Sequence, residues 1–137
     1  MKISKDLRKT LIDEMKFALS NMKNTTLPDE KLFFFSAVFG ATHRIMNIQY
    51  DSELVFINNV VTSSYTMMQT NWAAIKQGAS INTFPNDVFS TLEIHIEQLI
   101  QKIESDEETY KVIEAISNAA YSTTGNGYYL YLKRETK

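Results

Sequence analysis

Apolar side chains recur three and four positions apart along most of the chain, which is the period of one helix face. In the first segment Leu7, Leu11, Met15, Ala18 and Met22 form such a stripe, and charged side chains lie off it. The same pattern returns four more times. It predicts five helices, over about 4–23, 27–49, 52–77, 85–104 and 106–122.

Polar residues ahead of the apolar stripes indicate where the helices begin. Ser4 is predicted to cap the first helix and Thr26 the second, while either Asp51 or Ser52 starts the third. Gly78 follows the third helix, at the position where a left-handed residue often ends a helix. These signals predict short turns between successive helices.

The C-terminal part of the chain carries two further signals. Ser105 and Glu108 match a capping box, so the fifth helix is expected to begin at about residue 106. Residues 128–137 alternate between apolar and polar positions after a glycine-containing turn. They are predicted to form a short edge strand or an extended segment packed on the helices.

Composition agrees with one helical domain. The chain has 137 residues, of which 44% are hydrophobic and 22% charged, as in ordinary globular domains. Only 4 Gly and 2 Pro interrupt it, which favours long helices. We therefore predict an all-α fold: an antiparallel four- or five-helix bundle with a short C-terminal extended segment, formed by residues 1–137 as a single domain.

Composition also limits the function classes. The chain has no Cys, which excludes disulfides and thiolate metal sites. No apolar leader follows Met1, so a cytoplasmic location is expected. The uncharged stretch Leu54–Ile75 contains too many Asn, Ser, Thr and Gln residues to span a membrane. With a net charge of −2, neither a membrane nor a nucleic acid is predicted as a partner.

Charged side chains are scarce in the middle of the sequence. Between Leu32 and Leu92 only five charged residues occur, out of 30 in the chain. An exposed helix face normally carries Lys, Glu or Arg, because these residues stay out of cores. The second and third helices lack such a face, which predicts that something other than water covers them.

A second copy of the chain is the predicted cover, in a homodimer or higher oligomer. Interface centres are poor in charge and rich in aromatic residues and Met. The candidate interface residues are Phe33, Phe34, Ala37, Ala41, Tyr65 and Met67. The alternative is a monomer whose uncharged polar face on the third helix is simply hydrated.

A ligand pocket between the second and third helices is the alternative function. A small anionic or uncharged ligand would be held there by Arg44 together with uncharged polar and aromatic side chains. The candidate ligand-binding residues are His43, Arg44, Tyr65, Asn71, Trp72 and His95. In the competing interpretation, Arg44 lies at a helix–helix contact and pairs with an acidic residue such as Asp51 or Glu53.

No catalytic residue, metal site or cofactor is predicted. The Glu-x-x-His motif of di-iron bundles is missing, because Leu92 and Gly40 stand three positions before the two histidines. The acidic residues at 104–108 are typical of a helix N-terminus, where they offset the helix dipole. The sequence therefore favours a self-associating interaction or regulatory module without catalytic activity.

One charge asymmetry bears on topology. Residues 1–23 carry six basic and three acidic side chains, whereas residues 93–114 carry seven acidic and two basic ones. Opposite charges favour neighbouring positions, although exposed pairs contribute at most about 1 kcal/mol each. The first helix is therefore expected to pack beside the fourth or the fifth.

Overall fold

Five helices account for most of the structure, a computed structural model that describes residues 1–78 and 84–124. They are α1 (Lys5–Lys23), α2 (Pro28–Ile48), α3 (Ser52–Lys76), α4 (Val88–Glu104) and α5 (Tyr110–Tyr121). Strands are absent from the two described ranges, so the all-α prediction is confirmed. The predicted C-terminal segment 128–137 lies outside the described residues.

Two of the predicted helix starts are confirmed and one is wrong. The Ser4 side chain accepts from Leu7 N (3.2 Å) and the Asp51 side chain from Leu54 N (3.0 Å), so both are N-caps. Thr26 does not cap α2, because Leu27 holds the N-cap position without a side-chain bond. The neighbouring Thr25 hydroxyl accepts from Leu27 N instead, at 3.2 Å.

The capping box predicted at Ser105 is not formed. Ser105 is the C-cap of α4, and Asp106 follows in the left-handed region with φ of 54°. This residue turns the chain, so α5 begins only at Tyr110, with Thr109 as its N-cap. At the other long connection, Gly78 follows α3 with φ of 90°, a conformation that glycine adopts without strain.

The helices pack as a closed ring in the order α1, α2, α3, α5, α4 and back to α1. Ser4 N donates to Gln49 Oε1 at 2.8 Å and Lys31 Nζ to Met22 O at 2.6 Å, which ties both ends of α1 to α2. The antiparallel arrangement of the whole bundle stays a prediction. These end contacts favour it for the first pair.

Of the two helices predicted to lie beside α1, it is α4 that packs against it. Lys16 pairs with Glu104 at 3.3 Å and Lys23 with Glu97 at 3.7 Å across this contact. The basic start of the chain thus meets its acidic later part. All four side chains are partly exposed, so these pairs contribute little to stability.

The ring encloses one apolar core. Its largest fully buried side chains come from every helix: Phe35, Leu11, Met15, Met22, Leu54, Ile57, Met68, Leu92, Ile96, Leu99, Ile103 and Ile113. One polar contact lies among them, because the Thr42 hydroxyl on α2 lies 2.8 Å from Asn58 Oδ1 on α3. Both residues are buried, so this bond fixes the register of the two charge-poor helices.

A cluster of charged and polar groups around Glu53 joins the first residue of the chain to the start of α3 and to the start of α5. Glu53 Oε2 accepts from the Thr109 hydroxyl (2.5 Å) and from Thr109 N (3.2 Å), and Oε1 lies 2.9 Å from the Met1 ammonium. Partial burial alone would raise the pKa of Glu53, but these donors outweigh it and lower the pKa below its ordinary value. The pKa of Asp51 is lowered in the same way, since bonds from Lys2 N and Leu54 N outweigh its partial burial.

Candidate functional site

The predicted ligand-binding residues do not form one site. His43 and Arg44 are exposed on α2, and Arg44 forms an ion pair with Glu14 of α1. His95 is on α4, where its Nδ1 lies 3.1 Å from Gln98 Oε1. Arg44 therefore pairs with an acidic residue of another helix, as in the competing interpretation, but that residue is Glu14 and not Asp51 or Glu53.

The other three candidates lie along α3 and have separate contacts. Tyr65 packs against Phe35 and Phe39, with ring centroids 6.2 and 5.2 Å apart. Asn71 Nδ2 donates to Thr123 Oγ1 at 3.0 Å, after the end of α5. Trp72 Nε1 donates to Asp29 Oδ1 at 3.0 Å, at the start of α2. Tyr65 and Trp72 thus tie α3 to two places along α2, and Asn71 ties it to the end of α5.

The predicted interface residues fall into an exposed and a covered group. Phe33 is 67% exposed and Ala37 is exposed, whereas Phe34 is half-buried with its ring edge-to-face on Phe33 at 5.3 Å. Met67 and Tyr65 are half-buried. Ala41 is fully buried in the core of its own chain, so it has no surface to offer a second subunit.

One side of α3 is exposed and uncharged along most of the helix. We call it the α3 outer row; it consists of Ser52, Phe56, Asn59, Ser63, Thr66, Thr70 and Ala73. These positions are spaced alternately four and three residues apart, so they form a straight seam along the helix. Phe56, at one end of the row, is 41% exposed and touches Tyr110 of α5.

A shallow groove of about 420 Å³ runs along the middle of this row. It is lined by Thr62, Ser63, Thr66, Met67, Thr70 and Asn71. The hydroxyl of Thr62 is buried beside the groove and has no hydrogen-bond partner within the described residues. A buried hydroxyl without a partner costs about 1–3 kcal/mol.

A second concave site lies where the α1–α2 turn meets the end of α3 and the start of α4. We call it the aromatic cleft; its volume is about 470 Å³. Three rings line it: Phe84 packs edge-on to Trp72 (5.3 Å between centroids) and stacks with Phe89 (5.6 Å). All three side chains are half-buried, so part of each ring faces the cleft.

An ion pair completes the aromatic cleft. Lys31 Nζ lies 2.5 Å from Glu93 Oε2, and the two side chains are only 13% and 11% exposed. Both residues line the cleft, where their opposite charges cancel. Lys23 lies at the rim and is 3.7 Å from Glu97.

A surface contact braces one wall of the cleft. Asp29 Oδ1 accepts from Trp72 Nε1 and from Lys76 Nζ, each at 3.0 Å. The bond from Lys76 contributes most to a pKa of Asp29 below its ordinary value, and Trp72 adds to it. Trp72 is thereby held in one orientation, although it lies near the end of its helix.

Sequence reasoning identified Trp72 but missed the rest of the aromatic cleft. Neither the rings of Phe84 and Phe89 nor the ion pair of Lys31 with Glu93 was predicted as part of a site. The pairing of Lys31 with Glu93 joins positions 62 apart. No local pattern carries that information.

The described residues contain no cluster of three or more His, Asp or Glu side chains that could hold a metal ion. No helix in this part of the chain is both long enough and apolar enough to cross a bilayer. Comparison of the chain with family models, with curated proteins and with solved structures finds no match.

Proposed function

We propose that this protein is a self-associating helical interaction module without catalytic activity, and that two copies join through the α3 outer row. The observation that carries the proposal is the exposed, uncharged character of that row over its whole length. On the neighbouring helix α2, Phe33 is also exposed and Phe34 packs against it.

The residue types of the row support contact rather than hydration. Ser, Thr and Asn are poorer helix formers than Lys, Glu, Arg or Ala, by up to about 0.7 kcal/mol per position. A helix side that faces only water gains from the better formers, and it gains solubility from charge. Uncharged small side chains instead permit close approach of a second helix, with hydrogen bonds between them.

The groove beside the row gives a second reason. It is lined by Ser63, Thr66 and Thr70, which are exposed and carry hydroxyl groups. A partner helix with hydroxyl and amide side chains would satisfy such groups. The row itself has that chemistry.

The row is also complementary to itself. If two α3 helices cross in opposite directions about a twofold axis near residues 64 and 65, Ser63 faces Thr66 of the partner subunit. In the same register Phe56 lies across from the partner's Ala73, and Asn59 from the partner's Thr70. A large ring then meets a small methyl group, and hydroxyl meets amide, as an isologous interface requires.

The available area is sufficient for a stable pair. From Phe56 to Ala73 the row is about 26 Å long, at 1.5 Å per residue. A strip three helices wide, roughly 30 Å, would bury about 800 Å² on each subunit, which is the usual size of a specific interface. The neighbours α2 and α5 flank α3 and supply that width.

Analytical ultracentrifugation of single-residue variants tests the proposal. The wild-type chain of 15.8 kDa is expected to sediment as a dimer at about 100 µM and to dissociate on dilution. Ser63→Glu and Thr66→Glu place a charge at the centre of the row without lowering helix propensity, so both are expected to stay monomeric.

Ser20→Glu is the matched control, because Ser20 is exposed on α1, away from the row. It should dimerise like the wild type, and circular dichroism should show the same helix content for all four proteins. A wild-type chain that is monomeric at every concentration would overturn the proposal. So would two row variants that associate as well as the control.

A further inference from the structure

We infer that the aromatic cleft is a binding site for a small, planar, uncharged heteroaromatic molecule that carries an N–H donor. This site is separate from the α3 outer row, and it stands or falls independently of self-association. Its residues come from the α1–α2 turn, the end of α3 and the segment that leads into α4.

The shape and walls of the cleft select a flat aromatic ring. A volume of about 470 Å³ falls in the range of small-molecule sites, which are lined mostly by apolar and aromatic groups. Phe84 and Phe89 are already stacked at 5.6 Å, and Trp72 meets Phe84 at an angle of 72°. A ligand ring can stack on one of these faces and meet another with its edge, the two favoured aromatic geometries.

The Lys31–Glu93 ion pair favours a ligand that is uncharged and that carries a hydrogen-bond donor. Lys31 neutralises Glu93, so the lining attracts neither strong anions nor strong cations. Lys31 is bonded to Oε2 of the carboxylate, and a carboxylate accepts hydrogen bonds through both oxygens. Glu93 Oε1 can therefore accept from an N–H group at the edge of a ligand ring, with the extra strength of a charged acceptor.

The site is rigid before a ligand arrives. Asp29 holds the indole of Trp72 through its Nε1, and Lys31 is bonded to Met22 O as well as to Glu93. A ligand then finds its polar partners and one ring wall in place. Preorganisation of this kind lowers the entropy cost of binding.

Trp72 provides a direct readout, because it is the only Trp in the chain. We would titrate the full-length protein separately with adenine, cytosine and hypoxanthine, which are planar, uncharged heteroaromatic molecules with N–H donors, and record Trp fluorescence and thermal stability. At least one probe should quench the fluorescence saturably and raise Tm. Ribose, which has no aromatic ring, should do neither.

Two variants decide whether the signal comes from the cleft. Phe89→Ala removes one ring, and Phe84→Leu removes another while keeping apolar volume in case the first variant fails to fold. Each is expected to weaken the apparent Kd by roughly tenfold. Phe17→Ala, an exposed ring on α1, should leave Kd unchanged. The inference is overturned if none of the three probes gives a saturable signal, or if all three variants respond alike.

Discussion

The ammonium group of Lys31 makes two short contacts in a largely dry environment, with Glu93 Oε2 and with Met22 O. A buried pair of this kind is not strongly stabilising by itself, because both charges lose their hydration. Its importance lies in what remains when one partner is removed. The other charge then stays buried with nothing to offset it.

Replacing Lys31 by Met is therefore expected to lower the free energy of unfolding by about 3–5 kcal/mol. The double variant Lys31→Met/Glu93→Leu should recover most of that loss, since it removes both charges and keeps apolar volume. Urea denaturation of the single and double variants measures the difference. A single variant as stable as the wild type would mean that water reaches Glu93 freely.

At the scale of the helix, the sequence predicted more than it missed. The apolar period located all five helices, and the Ser4 and Asp51 caps emerged from local side-chain chemistry alone. The helix starts predicted at Thr26 and Ser105 were wrong, because in each case a nearby residue determines the path of the chain instead. Thr25 accepts the bond near α2, and the left-handed Asp106 turns the chain ahead of α5.

The candidate sites were predicted less well for a related reason. Exposure of the α3 outer row follows from helical period and packing, and its lack of charge is visible in the sequence. The aromatic cleft depends on which turn lies beside which helix end, and that depends on the tertiary arrangement. The acidic partner of Arg44 could not be identified for the same reason, because Glu14 is on another helix.

The cluster around Glu53 makes one helix junction sensitive to acid. Because its folded-state pKa is lowered, Glu53 adds stability that is present above its ordinary pKa and is lost as pH falls through the lowered value. Glu53→Gln should therefore cost about 1–3 kcal/mol at pH 7. Below the lowered pKa the wild type and the variant should converge, since both then have a neutral side chain in the folded state.

Thermal denaturation at several pH values checks this expectation. Asp13→Asn is the control, because Asp13 is exposed on α1 and bonded only at the surface, to Lys9. The Tm of the Asp13→Asn variant should differ little from that of the wild type at every pH. A Glu53→Gln difference that stays constant from neutral to acid conditions would contradict the proposed role of these bonds.

The register proposed for α3 can be tested by disulfide trapping, since the chain has no Cys of its own. Mixed Ser63→Cys and Thr66→Cys chains are expected to cross-link to each other rapidly under mild oxidation, because the two positions face one another across the proposed axis. The yield is read on a non-reducing gel. Ser20→Cys mixed with Thr66→Cys should give only slow, random cross-linking, and equal yields would exclude this register.

At the scale of the whole molecule, the α1–α4 contact and the α3 outer row differ in charge. The ion pairs Lys16–Glu104 and Lys23–Glu97 lie where α1 meets α4, whereas the exposed side chains of the α3 outer row are uncharged. Exposed apolar side chains are more widely spread, since Phe17 on α1 and Ile94 on α4 are exposed as well. The uncharged row is visible in the sequence only as a gap in the charges.

Self-association through an uncharged surface should depend little on salt. The dimer dissociation constant is expected to change less than about threefold between roughly 50 mM and 500 mM NaCl, because screening acts on charges. Sedimentation equilibrium at the two salt concentrations measures it. A steep weakening with salt would instead point to an interface built on the charged side of α1 and α4.

The order of the ring has a kinetic consequence. Each of α1–α2, α2–α3 and α4–α5 joins helices adjacent in sequence, whereas α1–α4 and α3–α5 join distant ones. The helices α4 and α5 can thus separate from the bundle together, as one hairpin. This breaks the α1–α4 and α3–α5 contacts, while α1, α2 and α3 stay folded and packed on each other. In hydrogen exchange we expect α4 and α5 to become labelled together and earlier than α2, through an open form in which the three-helix portion persists.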